Sequence, residues 1–216
     1  MSSKPRLWTK GFILDTRVNF LIYIIYYMLM VIIASEAIHS LNASMSEAGL
    51  ASGIFILGTL IARLFAGRSV ELYGRRKMLF AGIIFYLATT FMYFGIHSMA
   101  MLFFVRCLNG IGYGIASTAT STIVSTMIPA ERRGEGINYY ALSMSLAAAI
   151  GPFIGMLMQQ IFPFEDIIYF CIAMIVVCLG AAAVMHVDEM ELTEEHRAEL
   201  KEIHIANFLE PKVTAI

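Results

Sequence analysis

Six apolar stretches of membrane-helix length divide this chain, and they restrict its fold more than any other feature. About 20 apolar residues cross the hydrocarbon core of a bilayer as a helix. Lipid offers exposed backbone groups no hydrogen-bond partner, and the stretches lack the alternating polarity of membrane β-strands. We therefore predict an all-α membrane protein with spans at residues 18–39, 50–67, 78–96, 100–121, 137–162 and 167–187.

The composition agrees with this fold class and excludes several kinds of partner. Of the 216 residues, 59% are hydrophobic and 14% are charged, against about 45–50% and about 25% in soluble domains. The net charge of -1 gives no electrostatic basis for binding nucleic acid. Cys107, Cys171 and Cys178 all fall inside apolar stretches, so we expect small buried hydrophobes and not disulfides or metal ligands. We expect neither a metal nor a cofactor.

The distribution of lysine and arginine predicts an orientation for the spans. Basic residues occur in the N-terminal segment, in segment 67–77 and at Arg132 and Arg133, whereas the other short connections contain none. Basic loops of membrane proteins stay on the cytoplasmic side. We predict a multi-pass protein of the plasma (inner) membrane with both termini in the cytoplasm. Residues 1–17 form a cytoplasmic tail, residues 18–187 the transmembrane domain and residues 188–216 a cytoplasmic linker.

A short polar segment, residues 67–77, separates the second and third spans. We predict a tight loop in which Gly67 and Gly74 allow the backbone to turn sharply. Glu71 accepts hydrogen bonds from a helix N-terminus or balances nearby cations. Arg63 lies one turn before this loop and is expected to extend toward the membrane surface.

This segment resembles the loop between helices two and three of major facilitator superfamily transporters. Glu71 stands where the family pattern has aspartate, and Leu72 replaces a basic residue. The resemblance implies one half of a twelve-helix fold, the N-terminal six-helix half, built from two inverted three-helix repeats. The alternative is an ordinary positively charged turn. The matching positions are Gly67, Gly74, Arg75, Arg76 and Lys77.

Arg106 lies well inside the fourth apolar stretch. A cation there costs at least ~2.5 kcal/mol on insertion scales, so it should face the protein interior and have a partner. Arg106, Asn109 and Gly110 resemble the family's fourth-helix motif, in which Asn109 takes the position of a glutamine. In proton-driven members this arginine is associated with proton transfer. The alternative is a structural arginine that binds backbone carbonyls. Gly110 and Gly114 are expected to form a small face for close helix packing.

The fifth span carries a stripe of small residues, Ser143, Ala147, Gly151 and Gly155, spaced four apart. Pro152 lacks a backbone donor and should kink the helix. Gly151, Pro152 and Gly155 resemble a fifth-helix motif associated with exporters of the superfamily. This motif favours efflux over uptake, and the alternative is a plain packing face with a kink.

The resemblance implies a drug/proton antiporter-like secondary active transporter. It would export small amphipathic compounds from the bilayer against protons by alternating access, together with a C-terminal half or a second copy of itself. Arg106, Asn109 and Glu36 are the candidates for proton or substrate coupling, although Glu36 lies near a span end where it also reaches water. A non-transporting membrane binding or assembly protein, or an inactive truncated half-transporter, stays open. We predict that the chain is not an enzyme, because it lacks the Gly-x-Ser-Gly nucleophile and membrane histidine of an intramembrane protease.

Overall fold

The computed structural model describes residues 5–187. They form six long helices, all long and apolar enough to cross a membrane, which confirms the predicted all-α membrane fold. Short 3-10 helices lie at Met92–Gly95, after the third long helix, and at Ala130–Arg132, before the fifth. The predicted linker, residues 188–216, lies outside the described residues. The long helices are α1 Lys10–Ser40, α2 Met45–Tyr73, α3 Arg75–Phe91, α4 Met99–Met127, α5 Arg133–Ile161 and α6 Phe164–Val184.

Hydroxyl side chains mark the starts of three helices. The Thr9 hydroxyl accepts a hydrogen bond from the backbone of α1, and Ser98 caps α4 in the same way. Ser44 and Glu47 exchange bonds at the start of α2, where the carboxylate accepts from the Ser44 backbone at 2.8 Å. These caps satisfy backbone donors that have no partner inside the helix.

The helices pack in a pattern that repeats between the two halves of the chain. Helix α2 packs along α4 as α1 packs along α5, and α3 contacts α4 as α6 contacts α1. Helices α3 and α6 also contact each other. These pairings are those expected of two inverted three-helix repeats, α1–α3 and α4–α6.

The α2–α4 crossing is close because glycine faces backbone on both helices. A Cβ added to Gly58 would lie 2.2 Å from the Cys107 carbonyl oxygen, and one on Gly110 would lie 2.1 Å from that of Phe55. Gly114 lies against the same helix, where an added Cβ would be 2.9 Å from a carbonyl oxygen. The predicted packing role of Gly110 and Gly114 is confirmed.

The N-terminal segment differs from the predicted tail. Helix α1 begins at Lys10, and residues 5–9 pack against the start of α5. Leu7 is fully buried, and the Trp8 ring lies 4.8 Å from that of Tyr139. Arg132 donates a hydrogen bond to the carbonyl of Pro5 at 3.2 Å. The sequence predicted a tail here because basic residues lie on both sides of Leu7 and Trp8.

The predicted loop at residues 67–77 is instead a single-residue hinge. Helix α2 continues to Tyr73, and only Gly74 leaves the helical conformation, with φ 95°. Val70 is fully buried, so its packing holds the last turns of α2, and Gly67 is an ordinary helical residue. We call the end of the bundle that carries Gly74, the start of α1 and the α4–α5 connection the hinge end.

Candidate functional site

Arg106 is fully buried among α2, α3 and α4. Its Nε donates to the Ala51 carbonyl at 3.2 Å, and its Nη1 donates to the Tyr93 hydroxyl at 3.3 Å. The guanidinium carbon lies 4.4 Å from the centre of the Phe55 ring. Arg106 therefore faces the interior as predicted, but within residues 5–187 its partners are neutral groups and not a carboxylate.

Asn109 extends this cluster to α3. Its carbonyl oxygen accepts a bond from the Tyr93 hydroxyl at 3.3 Å. Its amide donates to the hydroxyls of Thr89 and Thr90, each at 3.1 Å. Asn109 and Arg106 thus share Tyr93, and the cluster ties three helices together in the interior.

Glu36 lies at the end of the bundle opposite the hinge end. It is half-buried and lines two cavities of about 520 and 290 Å³. Tyr93, whose hydroxyl binds Arg106, also lines the smaller cavity. The structure thereby places the three predicted coupling residues at the same end of the molecule.

The basic residues after Gly74 lie at the hinge end, far from this cluster. Arg75 is buried, and Arg76 donates a hydrogen bond to the Ala183 carbonyl at 2.9 Å. That carbonyl belongs to the last turn of α6, where a cation is favourable. Glu71 and Lys77 are exposed. The hinge residues therefore join α3 to the end of α6.

The small-residue stripe of α5 packs against α1 as predicted. A Cβ on Gly151 would lie 2.8 Å from the Tyr27 Cβ, and one on Gly155 would lie 3.1 Å from the Met28 carbonyl oxygen. Pro152 sits between them inside one continuous helix. These three residues position α5 on α1 and lie in neither cavity described next.

The Arg63 side chain borders a polar and aromatic surface. Arg63 and Tyr23 both line a cavity of about 450 Å³ and a second of about 270 Å³. Because α2 runs to Tyr73, Arg63 lies about three turns before the end of the helix, and its extension toward the membrane surface stays a prediction. The first cavity is completed by Ser117, Thr118, Ser121, Thr122 and Ser125, and the second by Tyr26, Tyr27, Phe55, Ile56, Thr59 and Tyr113.

Asp15 is a group that sequence reasoning missed, because it was assigned to the tail. It is fully buried, and neither carboxylate oxygen has a hydrogen-bond partner in the part of the chain that the structure describes. Asn19, one turn further along α1, is also fully buried. The spacing of these two polar residues between apolar neighbours was the signal that could have found them.

Asn19 belongs to a hydrogen-bonded network across α1, α4 and α5. Its oxygen accepts from the Thr120 hydroxyl at 3.3 Å, and its amide donates to the Ser143 hydroxyl at 3.3 Å. The Tyr140 hydroxyl donates to Thr120 at 3.1 Å and lies 3.5 Å from the Ser121 hydroxyl. Ser121 lines the 450 Å³ cavity, so the network reaches from the interior to that cavity.

Comparison with known proteins agrees with the architecture. A crystal structure of the peptide transporter POT superposes with a TM-score of 0.74 at 17% identity, covering 88% of this chain and 43% of the transporter. An uncharacterized MFS-type transporter of Methanocaldococcus jannaschii is 27% identical over 132 residues, which are 61% of this chain and 34% of the relative. Multidrug resistance protein 1 of Bacillus subtilis is 26% identical over 134 residues, 62% of this chain and 34% of that protein.

The chain thus spans less than half the length of each of these proteins. A family model described as Major Facilitator Superfamily matches residues 18–213. Because that match runs through all six helices and the fold agrees, this chain belongs to the Major Facilitator Superfamily.

Proposed function

We propose that the chain is one six-helix half of a secondary active transporter that exports small amphipathic compounds against protons by alternating access. The observation that carries this proposal is the pair of cavities around Arg63 and Tyr23, which gives the α1–α2–α4 face a polar and aromatic lining inside an apolar bundle. Intramembrane polar residues of this kind mark substrate paths. A second six-helix unit, a C-terminal half or a second copy, closes the path.

Efflux is the proposed direction of transport. Gly151, Pro152 and Gly155 match the exporter-type motif on α5 and lie against α1, which borders the cavities. The similarity of this chain to multidrug resistance protein 1 of Bacillus subtilis supports the same class of function. Gly74 and the basic residues that follow it lie at the hinge end of the bundle. The positive charges of the connections at this end favour its location on the cytoplasmic side.

Proton coupling is proposed to use the buried carboxylate of Asp15. A carboxylate can take up and release a proton, and its burial makes the two charge states differ strongly in energy. The hydroxyl network through Tyr140 and Ser121 lies between α1 and the cavity. Arg106, Asn109 and Glu36 are proposed to take part in proton or substrate coupling at the opposite end. The Tyr93 hydroxyl bonds to Arg106 and Asn109 there, and Tyr93 lines a cavity together with Glu36.

The test measures proton movement in everted vesicles from an efflux-deficient bacterium that produces the chain. Respiration acidifies the vesicle lumen, and a transported compound exchanges with protons and reverses the quenching of a pH-sensitive dye. We expect reversal with the wild-type chain, loss with Arg106→Ala or Asp15→Asn, and none in vesicles that lack the chain. Absence of reversal despite stable association with another membrane protein would favour the assembly role.

The second six-helix unit is identified by light scattering on the purified chain in detergent. A dimer indicates that a second copy completes the path, and the vesicle assay then applies to this chain alone. A monomer indicates a separate C-terminal half, which must be produced together with the chain before proton exchange is measured.

A further inference from the structure

We propose that the cavities around Arg63 bind an amphipathic organic anion, that is, a carboxylate, sulfonate or phosphate group attached to a flat apolar body. The inference rests on the proposed transport function, because it names the chemical class of the compound carried along the same path. It follows from the charge, the hydroxyl groups and the aromatic rings of one face.

Arg63 supplies the charge. Its guanidinium carries five hydrogen-bond donors and is always protonated. Within residues 5–187 it makes no hydrogen bond and no ion pair, and it is exposed to both cavities. A cation about 15 Å from the end of its helix needs an acceptor or water. A ligand with an anionic group would supply such an acceptor.

The surrounding residues leave this positive charge uncompensated. Among the residues that the structure describes, no aspartate or glutamate lines either cavity. The nearest acidic residue on α1 is Asp15, about two turns before Tyr23, and it is fully buried and lines neither cavity. A recess with one sign of charge and apolar walls concentrates ligands of the opposite sign. The site therefore favours anions over cations.

The hydroxyl groups of α4 supply adaptable partners for an anionic group. Ser121 donates to the Ser117 carbonyl at 2.9 Å, and Thr122 donates to the Thr118 carbonyl at 3.0 Å. These bonds within the helix satisfy the hydroxyls. Because a hydroxyl rotates to suit its partner, each can donate instead to a ligand oxygen beside Arg63.

The aromatic side of the face accommodates the apolar body of the ligand. The rings of Tyr26 and Phe55 stack with centroids 5.0 Å apart and planes inclined by 19°. Tyr113 lies against both rings. Tyr23 and Arg63 border the aromatic cavity and the hydroxyl cavity alike. A flat apolar body against the rings therefore brings an attached anionic group to Arg63.

The experiment compares two probes of equal size and opposite charge, naphthalene-1-sulfonate and 1-naphthylmethylammonium. Binding is measured by calorimetry on the purified chain in nanodiscs of neutral lipid. Arg63→Gln removes the charge and Arg63→Lys retains it. Arg17→Gln is the matched control, because Arg17 is an exposed arginine of the same bundle that lines neither cavity.

We expect the wild-type chain to bind the sulfonate about ten-fold or more tightly than the ammonium, the ratio that one charge-assisted hydrogen bond supplies. Arg63→Gln removes this preference, Arg63→Lys keeps part of it, and Arg17→Gln leaves it unchanged. Equal binding of the two probes, no binding of the sulfonate, or an unchanged preference in Arg63→Gln overturns the proposal. The last result, combined with weaker association of subunits, would identify a partner carboxylate as the acceptor for Arg63.

The outcomes separate this inference from the transport proposal. Selective sulfonate binding without proton exchange in vesicles supports the anion site and contradicts transport. Proton exchange driven by the ammonium probe alone supports transport and contradicts the anion class.

Discussion

The hydroxyl of Tyr93 accepts a hydrogen bond from the Arg106 guanidinium at 3.3 Å, and it donates a hydrogen bond to the amide oxygen of Asn109 at the same distance. One phenol thus links a buried cation to a buried amide. Arg106 keeps a second bond, to the Ala51 carbonyl. Arg106 and Asn109 therefore share one oxygen atom as a hydrogen-bond partner.

We predict that Tyr93→Phe lowers the free energy of unfolding by about 1–3 kcal/mol, because it leaves a buried donor and a buried acceptor without partners. Thermal unfolding in detergent measures the change. Tyr169→Phe is the control, because the Tyr169 side chain is exposed. Equal stabilities for the two variants would contradict a supporting role for the Tyr93 hydroxyl.

Two glycines of α2 should respond in opposite ways to the same substitution. Gly58→Ala places a methyl group 2.2 Å from the backbone of α4, so the helices must separate, at a cost of about 1–3 kcal/mol. Gly53→Ala meets nothing within 4 Å and gains up to about 1 kcal/mol of helix propensity. The yield of folded protein and its unfolding temperature measure both effects. A loss of stability at Gly53 as large as that at Gly58 would refute the close crossing.

The hinge predicts a similar contrast between Gly74 and Gly67. Gly74 has φ 95° and ψ 142°, a conformation that a side chain strains by about 1–3 kcal/mol. Gly67 is helical, and a Cβ there would meet nothing within 4 Å. We expect Gly74→Ala to destabilise the protein and Gly67→Ala to be neutral or stabilising in thermal unfolding. Similar losses at both positions would favour the loop that the sequence predicted.

Asp15 offers a test that separates stability from coupling. Asp15→Asn replaces a buried carboxylate that has no hydrogen-bond partner within residues 5–187 by a neutral group of the same shape. Removing an uncompensated buried acid does not destabilise a protein, so we expect an unchanged or higher unfolding temperature together with loss of proton exchange in vesicles. Asp166→Asn, at an exposed position in the first turn of α6, should leave proton exchange unchanged and lower the stability by at most about 1 kcal/mol. Wild-type proton exchange in Asp15→Asn would exclude this carboxylate as the coupling group.

The sequence predicted the parts of this structure that depend on local pattern. Six apolar stretches gave six helices, and the spacing of Gly110 and Gly114 indicated the face that meets α2. Arg106 was expected inside the protein because an unpartnered cation in lipid is costly. Its neutral partners could not be foreseen, since Ala51 and Phe55 come from α2 and Tyr93 from the 3-10 helix after α3.

The features that were missed depend on where helices end. Charged residues in segment 67–77 were interpreted as a loop, whereas α2 continues to Tyr73, about three turns beyond Arg63. The same reasoning assigned Asp15 to a tail. The hydroxyls of α4 bind carbonyls of their own helix, as serine and threonine do in many helices. They line a cavity because Tyr23 and Arg63, from two other helices, lie beside them, and the local sequence does not show this.

Because Trp8 contacts Tyr139, its fluorescence is an intrinsic probe of this contact. Trp8 is the single tryptophan, and its ring lies 4.8 Å from Tyr139 and 5.6 Å from Phe12. All tryptophan emission of this protein therefore originates where residues 5–9 meet α5. A rearrangement that separates this segment from α5 shifts the wavelength of tryptophan emission, and this shift can be followed in real time without any label.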